Sequence, residues 1–321
     1  MSNVPALLSA YAVVEMRPPA EYAPYSPYGY YPTQYVCALF VALFALSTVL
    51  HVGQAVRYRL WWLLPTACVA GLLEVLGWAA RLWNAQNPFQ FQEYEMQLVC
   101  TILGPTPLAA ANFVILEHII RRLGPEYSRL SPGQYTAVFL LGDVVSLIVQ
   151  AIGGAAAAAA VNMRKNPAEG GRIMLGGIAF QMAIITIYVL CAGEFVLRYL
   201  RDWPVRRLAS ADSTARSGGG RMTPRMKILL YAMMFNTTCL FIRAVYRVIE
   251  LSNGWTGRII RTEVYFNVLD GAMITLAMFT LNFAHPGFLL GKDSDEVPPV
   301  RRDSETVTAG TVEEAKERWS E

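Results

Sequence analysis

Charge is scarce in this chain. Of 321 residues only 16% are Asp, Glu, Lys or Arg, and the formal net charge is +3. That is too little, and too scattered among short polar stretches, for a nucleic-acid surface. Histidine is scarcer still: His51, His118 and His285 form no H-x-x-x-H or H-E-x-x-H pair, so a zinc-dependent intramembrane hydrolase is disfavoured. Cys37, Cys68, Cys100, Cys191 and Cys239 include no C-x-x-C pair and sit in apolar runs, where cysteine reads as a small packing residue. No Walker A pattern is present, so no ATP hydrolysis is expected within the chain, and neither a cofactor nor a metal is implied. The first residues lack the basic n-region of a cleaved signal. The alternating ten-residue segments of a membrane barrel are absent as well.

What the chain has instead is apolar length. Hydrophobic residues make up 54% of it, in blocks of about 20, the length that crosses a hydrocarbon core as a helix. Seven such spans are expected: 35–55, 60–83, 96–117, 135–159, 173–197, 228–249 and 262–284. The fold class is therefore an all-α integral membrane protein, a seven-transmembrane helical bundle, with Trp61, Trp62, Trp78, Trp83 and Tyr135 near the interfaces. Of 27 Lys and Arg residues, 18 fall on the cytosolic side and 6 outside if the N-terminus is extracellular, the remainder being Arg81, Arg243 and Arg247 within spans. That bias puts the N-terminus outside and the C-terminus in the cytosol.

Residues 1–34 then form an extracellular arm rich in Tyr and Pro, expected to be extended and without a core of its own. Residues 35–284 form the seven-span domain, and 285–321 a disordered acidic cytosolic tail. The basic linker from Arg201 to Arg225 reads as a solvated loop near anionic headgroups, with Ser210 as a possible phosphorylation site. AIGGAAAAAA, residues 151–160, offers small side chains for close helix approach. The sequon at Asn236 lies inside a span and is a poor glycan acceptor.

Against this apolar background a few ionisable residues stand out. Glu74 and Arg81 recur at i, i+7; Arg243, Arg247 and Glu250 at i, i+4, i+7; Glu263 and Asp270 at i, i+7, so each set shares one helix face. By the 1.5 Å rise, Arg243, Asp270 and Glu74 lie roughly 9, 12 and 14 Å from the outer ends of their spans, a common deep layer. Arg81, Arg247, Glu250 and Glu263 form a shallower, electrically balanced layer. Snorkelling accounts for Arg81 and Arg247. It does not account for Glu74, Asp270 or Asp143, whose short side chains sit near mid-span at a cost of about 2.5 to 3.5 kcal/mol each. Partners or water must meet them, either in a structural ion-pair network or in a ligand pathway. Asp143, Ser146 and Gln150, at i, i+3, i+7, should likewise face the interior. Pro105 and Pro107 interrupt the third span at similar depth, as in discontinuous transporter helices or in a plain kink.

These residues also carry a resemblance. ExxGWxxR at Glu74 to Arg81, PLAAAN at Pro107 to Asn112, FLLGDVVSLIVQAIGG at Phe139 to Gly154, and GRIMLGGIAFQ ending at Gln181 follow one another in order. RAVYRVIELSNGWTG from Arg243, the spaced Glu263 and Asp270, and AHPG at Ala284 to Gly287 complete the series. Together they resemble the fungal lipid-translocating exporter family, seven-span proteins associated with resistance to aminocholesterol and with release of sphingoid long-chain bases. The chain departs from the family pattern at Phe113, Glu117-His118 and Asn267.

The resemblance implies a non-enzymatic membrane transporter or flippase-like exporter of amphiphilic lipids at the plasma membrane, conferring resistance to toxic lipids. Membrane lipids and an amphiphilic substrate are then its partners. Two acids against one base in the deep layer leave a vacancy that a proton or the ammonium of a sphingoid base would fill. On that layout Asp270→Asn should be milder for folding than Arg243→Ala, and Arg247→Ala should matter less than Arg243→Ala. A seven-span receptor or lipid sensor without transport activity is the alternative, although no coupling motif and no mid-span Lys for a retinal Schiff base mark one. The topology is directly testable: a tag on the N-terminus should be reachable on intact cells and one on the C-terminus only after permeabilisation. Both tags reachable from one side would mean an even number of spans.

Overall fold

The computed structural model describes residues 20–163, 165–205, 222–254 and 257–290. Long apolar runs cannot leave backbone N–H and C=O groups unpaired in lipid, and helices satisfy them locally. Seven helices are long and apolar enough to cross a membrane: Gln34–Tyr58, Trp61–Gln86, Phe91–Leu123, Pro132–Val161, Ala168–Leu200, Pro224–Ser252 and Glu263–Leu290, here spans one to seven. Among the described residues there is no strand. The protein is a multi-pass membrane protein. Seven crossings put the segment before span one and the segment after span seven on opposite faces, called here the N-terminal and C-terminal faces.

Helix ends follow local chemistry. Pro132 opens span four, and the Gln134 side chain reaches back to accept from the Ser131 N–H at 2.9 Å. Span three closes at Gly124, whose φ of 133° a side chain would oppose. Spans two and seven each contain one wider, π-helical turn, Leu64–Cys68 and Asn267–Ala272. Span three is two helices, Phe91–Leu103 and Pro105–Leu123, meeting at Gly104.

The spans form a ring in chain order, span seven closing against span one. Pro105–Leu123 fills the centre, touching spans two, four and six, so that 72% of the apolar window of span three is buried against 22% for span four. Phe40 stacks on Trp78 at 4.2 Å between ring centres, and Phe113 meets Tyr188 edge-on at 4.8 Å beside Phe139. Leu46, Val49, Leu141 and Leu190 point outward, as lipid-facing side chains should.

Spans four and five make the closest crossing. A Cβ on Gly153 would strike the backbone N of Met174, and one on Gly170 the backbone of Ala157, so the two helices touch main chain to main chain. One face of the alanine-rich run is thus a packing surface.

Two boundaries differ from those the sequence suggests. The described part of the arm is docked: after a short turn at Ala20–Tyr25, Tyr28 is buried edge-on against Tyr94, because its ring finds an aromatic pocket above span two. At the other end, His285, Pro286, Leu289 and Leu290 are buried in a turn against spans one and six, so the packing continues past Ala284 to the last described residue. Ser210, most of its basic linker and the acidic tail from residue 291 lie outside the described residues.

The crossing of spans four and five sets a stability test. Gly153→Ala and Gly170→Ala should each lower the melting temperature of the purified protein in detergent, at a cost of about 1 to 3 kcal/mol. Gly176→Ala and Gly193→Ala, whose added methyl meets nothing within 4 Å, should leave it unchanged or raise it, through a stability gain of up to about 1 kcal/mol. Equal behaviour of the two pairs would contradict the close crossing.

Candidate functional site

Pro105 has no N–H, so the carbonyl of Thr101, four residues earlier, has no helical partner. Arg243 of span six takes it: one guanidinium nitrogen donates to the Thr101 carbonyl at 2.5 Å, and Nε donates to Asp270 Oδ1 at 2.7 Å. Arg247, one turn on, donates to the other Asp270 oxygen at 2.5 Å and to the Thr101 hydroxyl at 3.0 Å. Its second terminal nitrogen donates to Glu250 at 2.8 Å, and the Tyr246 hydroxyl donates to the remaining Glu250 oxygen at 2.7 Å. Asp270 is therefore shared by two arginines across spans six and seven, on the widened turn of span seven, with the broken span three as third partner. All four charged residues are buried.

Glu74 lies beside this network without joining it. Its Oε1 has no hydrogen-bond partner, and it makes no ion pair among the described residues. The carboxylate packs on Gly104, where a side chain would come within 2.6 Å of Oε1. The cluster holds three acids, Glu74, Glu250 and Asp270, against two bases.

A second group sits toward the N-terminal face. Arg81 is 1% exposed and donates to the Tyr30 hydroxyl at 2.7 Å, with Gln97 at 3.5 Å and Glu263 at 3.6 Å. Glu263 in turn accepts from both the backbone N–H and the hydroxyl of Thr33, each at 2.8 Å, tying the entrance of span one to span seven. The rings of Tyr28, Tyr30, Trp78 and Phe266 surround the Arg81 guanidinium at 4.6 to 5.7 Å. Burial pushes the Tyr28 and Tyr30 phenols above their usual range, against the pull of Arg81, so the cage is uncharged. Phe266 also lies 5.1 Å from the Arg247 guanidinium, so one ring separates the two groups.

The remaining residues fall elsewhere. Gln181 of span five accepts from Gln150 at 3.1 Å and donates to Thr106 at 2.8 Å, joining spans four, five and three just past the break. Asp143, Ser146 and Gln150 are buried, on the interior face that their spacing predicts. Ser146 donates only to the Asp143 backbone carbonyl, and neither carboxylate oxygen of Asp143 has a partner. Among the described residues no group of three or more His, Cys, Asp or Glu side chains is placed to hold a metal ion.

Three expectations need correction. Arg81 and Arg247 do not snorkel; their guanidinium groups turn into the bundle, where carboxylates and aromatic rings replace headgroup water. Arg247 and Glu250 belong with the deep acids, leaving only Arg81 and Glu263 nearer the surface. Asp270 is saturated by two arginines, so the unmatched acid is Glu74. Sequence reasoning missed Thr101, Tyr246, Tyr30 and Thr33. Pro105 four residues after Thr101, and Tyr246 four before Glu250, were the available signals. It also missed the Asn112–Asn236 bond, 2.8 Å, with Asn236 donating onward to the Ala277 carbonyl at 2.7 Å. At the departures from the family pattern, Phe113 fills the aromatic cluster, Glu117 pairs with Arg121 at 2.6 Å and accepts from Thr136, and Asn267 lies in the widened turn.

Comparisons with known proteins agree along the chain. A family model described as "RTA1 like protein" matches residues 67–293. The chain is 28% identical over 289 residues to the "Sphingoid long-chain base transporter RSB1" of Saccharomyces cerevisiae, covering 83% of this chain and 75% of that one. It is 28% identical over 289 residues to the "Lipid-translocating exporter-like protein RTA1" of Leptosphaeria maculans, covering 82% and 51%. No solved structure matches significantly.

The shared carboxylate removes the ranking that depth alone suggests. Asp270→Asn leaves two buried guanidinium groups without their carboxylate and should cost about 3 to 5 kcal/mol, as should Arg247→Ala and Arg243→Ala. Arg57→Ala, at an exposed position, should cost within about 0.5 kcal/mol. Folded yield and melting temperature of the four variants decide this, and a wild-type-like Arg247→Ala would rule out the network.

Proposed function

The chain belongs to the RTA1-like protein family, and from that premise we propose that it is an exporter of amphiphilic lipids, with sphingoid long-chain bases or chemically similar molecules as substrates, and not an enzyme. The observation that carries this reading is Glu74, a buried carboxylate beside a balanced ionic network and without a cation of its own. An ionised carboxylate in low dielectric needs a counter-charge, and a lipid with one ammonium group is of the class that supplies one and enters from the bilayer. The name of the yeast relative supports the same substrate class.

In this reading Arg243, Asp270, Arg247 and Glu250 form the fixed wall of the site, and Glu74 receives the ammonium. Gly104, against Glu74, is where span three bends, so movement of Phe91–Leu103 about the break would open or cover that carboxylate. Gln150, Gln181 and the unpartnered Asp143 extend the polar interior along spans four and five. Arg81 and Glu263 hold the arm over the N-terminal face, which we place outside the cell, with the plasma membrane as the site of action.

The test is reconstitution into vesicles with labelled long-chain bases and phospholipids, with and without a pH gradient. The wild type should move the cationic base, and Glu74→Gln should slow it by about tenfold or more, one tenfold step being 1.4 kcal/mol of lost interaction, while keeping its folded yield. Glu74→Gln transporting at the wild-type rate would remove Glu74 from the route. A wild type that moves no lipid would remove the exporter reading itself.

A further inference from the structure

The break in span three has a second consequence. Pro105–Leu123 packs on span four, whereas Phe91–Leu103 packs on span two and barely touches span four. The first half of span three and the last third of span four therefore diverge toward the N-terminal face. Between them lies a cleft of about 330 Å³, at the lower end of the range of ligand sites. Its walls are Phe91, Tyr94, Leu98 and Ile102 on one side and Ala151, Gly154, Ala155 and Ala158 on the other. The alanine-rich run thus has two faces: Gly153 and Ala157 press on span five, and the next face around the helix is too small to fill the gap.

The cleft has polar groups at its two ends. Gln150, 2% exposed and bonded to Gln181, lines its inner end, and Glu95 lines it toward the N-terminal face. From Gln150 to Val161 the wall is roughly 16 Å long by the helical rise. Glu95 Oε1 is buried with no hydrogen-bond partner, and among the described residues no Lys or Arg lines the cleft. An apolar slot with one unmet carboxylate oxygen at its mouth, and among the described residues no base to meet a phosphate, fits one hydrocarbon chain that carries a cationic head. Ile102 and Leu103 of the same wall adjoin Gly104, against which Glu74 packs on the far side.

We propose that the cleft between spans three and four is an entry site for a single-chain cationic amphiphile, its ammonium at Glu95 and its tail against the alanine face. This rests on the exporter reading and adds to it a holding site separate from the Arg243–Asp270 network. Filling the cleft should block occupancy without disturbing that network.

The test uses the full chain in nanodiscs of neutral phospholipid and a long-chain base bearing a photoreactive group in its tail, with its N-acetylated analogue as the uncharged control. The base should label the peptides spanning 91–103 and 151–161. Ala155→Leu with Ala158→Leu should cut that labelling, and transport in vesicles, on the order of tenfold, 1.4 kcal/mol. Ala156→Leu with Ala159→Leu, at positions outside the cleft lining, should change neither. Glu95→Gln should weaken labelling by the base and leave the acetylated analogue unaffected. Full labelling and transport in the Ala155→Leu, Ala158→Leu variant would overturn the cleft while leaving the exporter reading in place. Equal competition by a lysophospholipid would overturn the assignment of a cationic head. A wild type that neither binds nor moves the base would overturn both readings.

Discussion

Asp270 holding two arginines at once is the constraint on which the interior depends. In a low-dielectric interior an unpaired guanidinium or carboxylate is costly, and a pair offsets its desolvation only when every donor and acceptor is met. Here one carboxylate accepts from Arg243 and Arg247, and the Thr101 carbonyl and hydroxyl take further donors from both. Spans three, six and seven are thereby fixed in height and rotation relative to one another. The widened turn of span seven presents Asp270, and its Gly271 leaves room for the Trp78 ring of span two.

The break in span three serves the network, since its freed carbonyl satisfies part of Arg243. It also bends the helix away from span four, and the same bend leaves the cleft open. A single proline thus ties the buried ionic core to an unfilled apolar slot on its other side.

Toward the N-terminal face the logic is aromatic. Arg81 is met by one distant carboxylate, one phenol and four ring faces, an arrangement that desolvates the cation at lower cost because the rings contribute electrostatic attraction. Two of those rings, Tyr28 and Tyr30, belong to the segment before span one, so the arm is part of the site's closure. Phe266, between Arg81 and Arg247, places this closure in contact with the core.

Much of this was legible in the sequence. Apolar length fixed the number of spans, because lipid leaves the backbone no alternative to helices, and the i, i+4, i+7 spacing of Arg243, Arg247 and Glu250 put them on one face. Motif order along the chain identified the family. Helical rise gave approximate heights, but height alone does not say which neighbour a side chain turns toward. Arg247 was assigned to the headgroups on depth, yet the rotation of span six against span seven turns it to Asp270. The same argument puts Glu74 and Asp270 together with Arg243, yet Asp270 takes both arginines and Glu74 neither. The docking of Tyr28 and Tyr30 over Arg81 joins residues 51 to 53 positions apart, which no local pattern encodes. The cleft was beyond sequence reading for a related reason: alanine permits both contact and vacancy, and only the direction in which span three leaves Gly104 decides which face receives each.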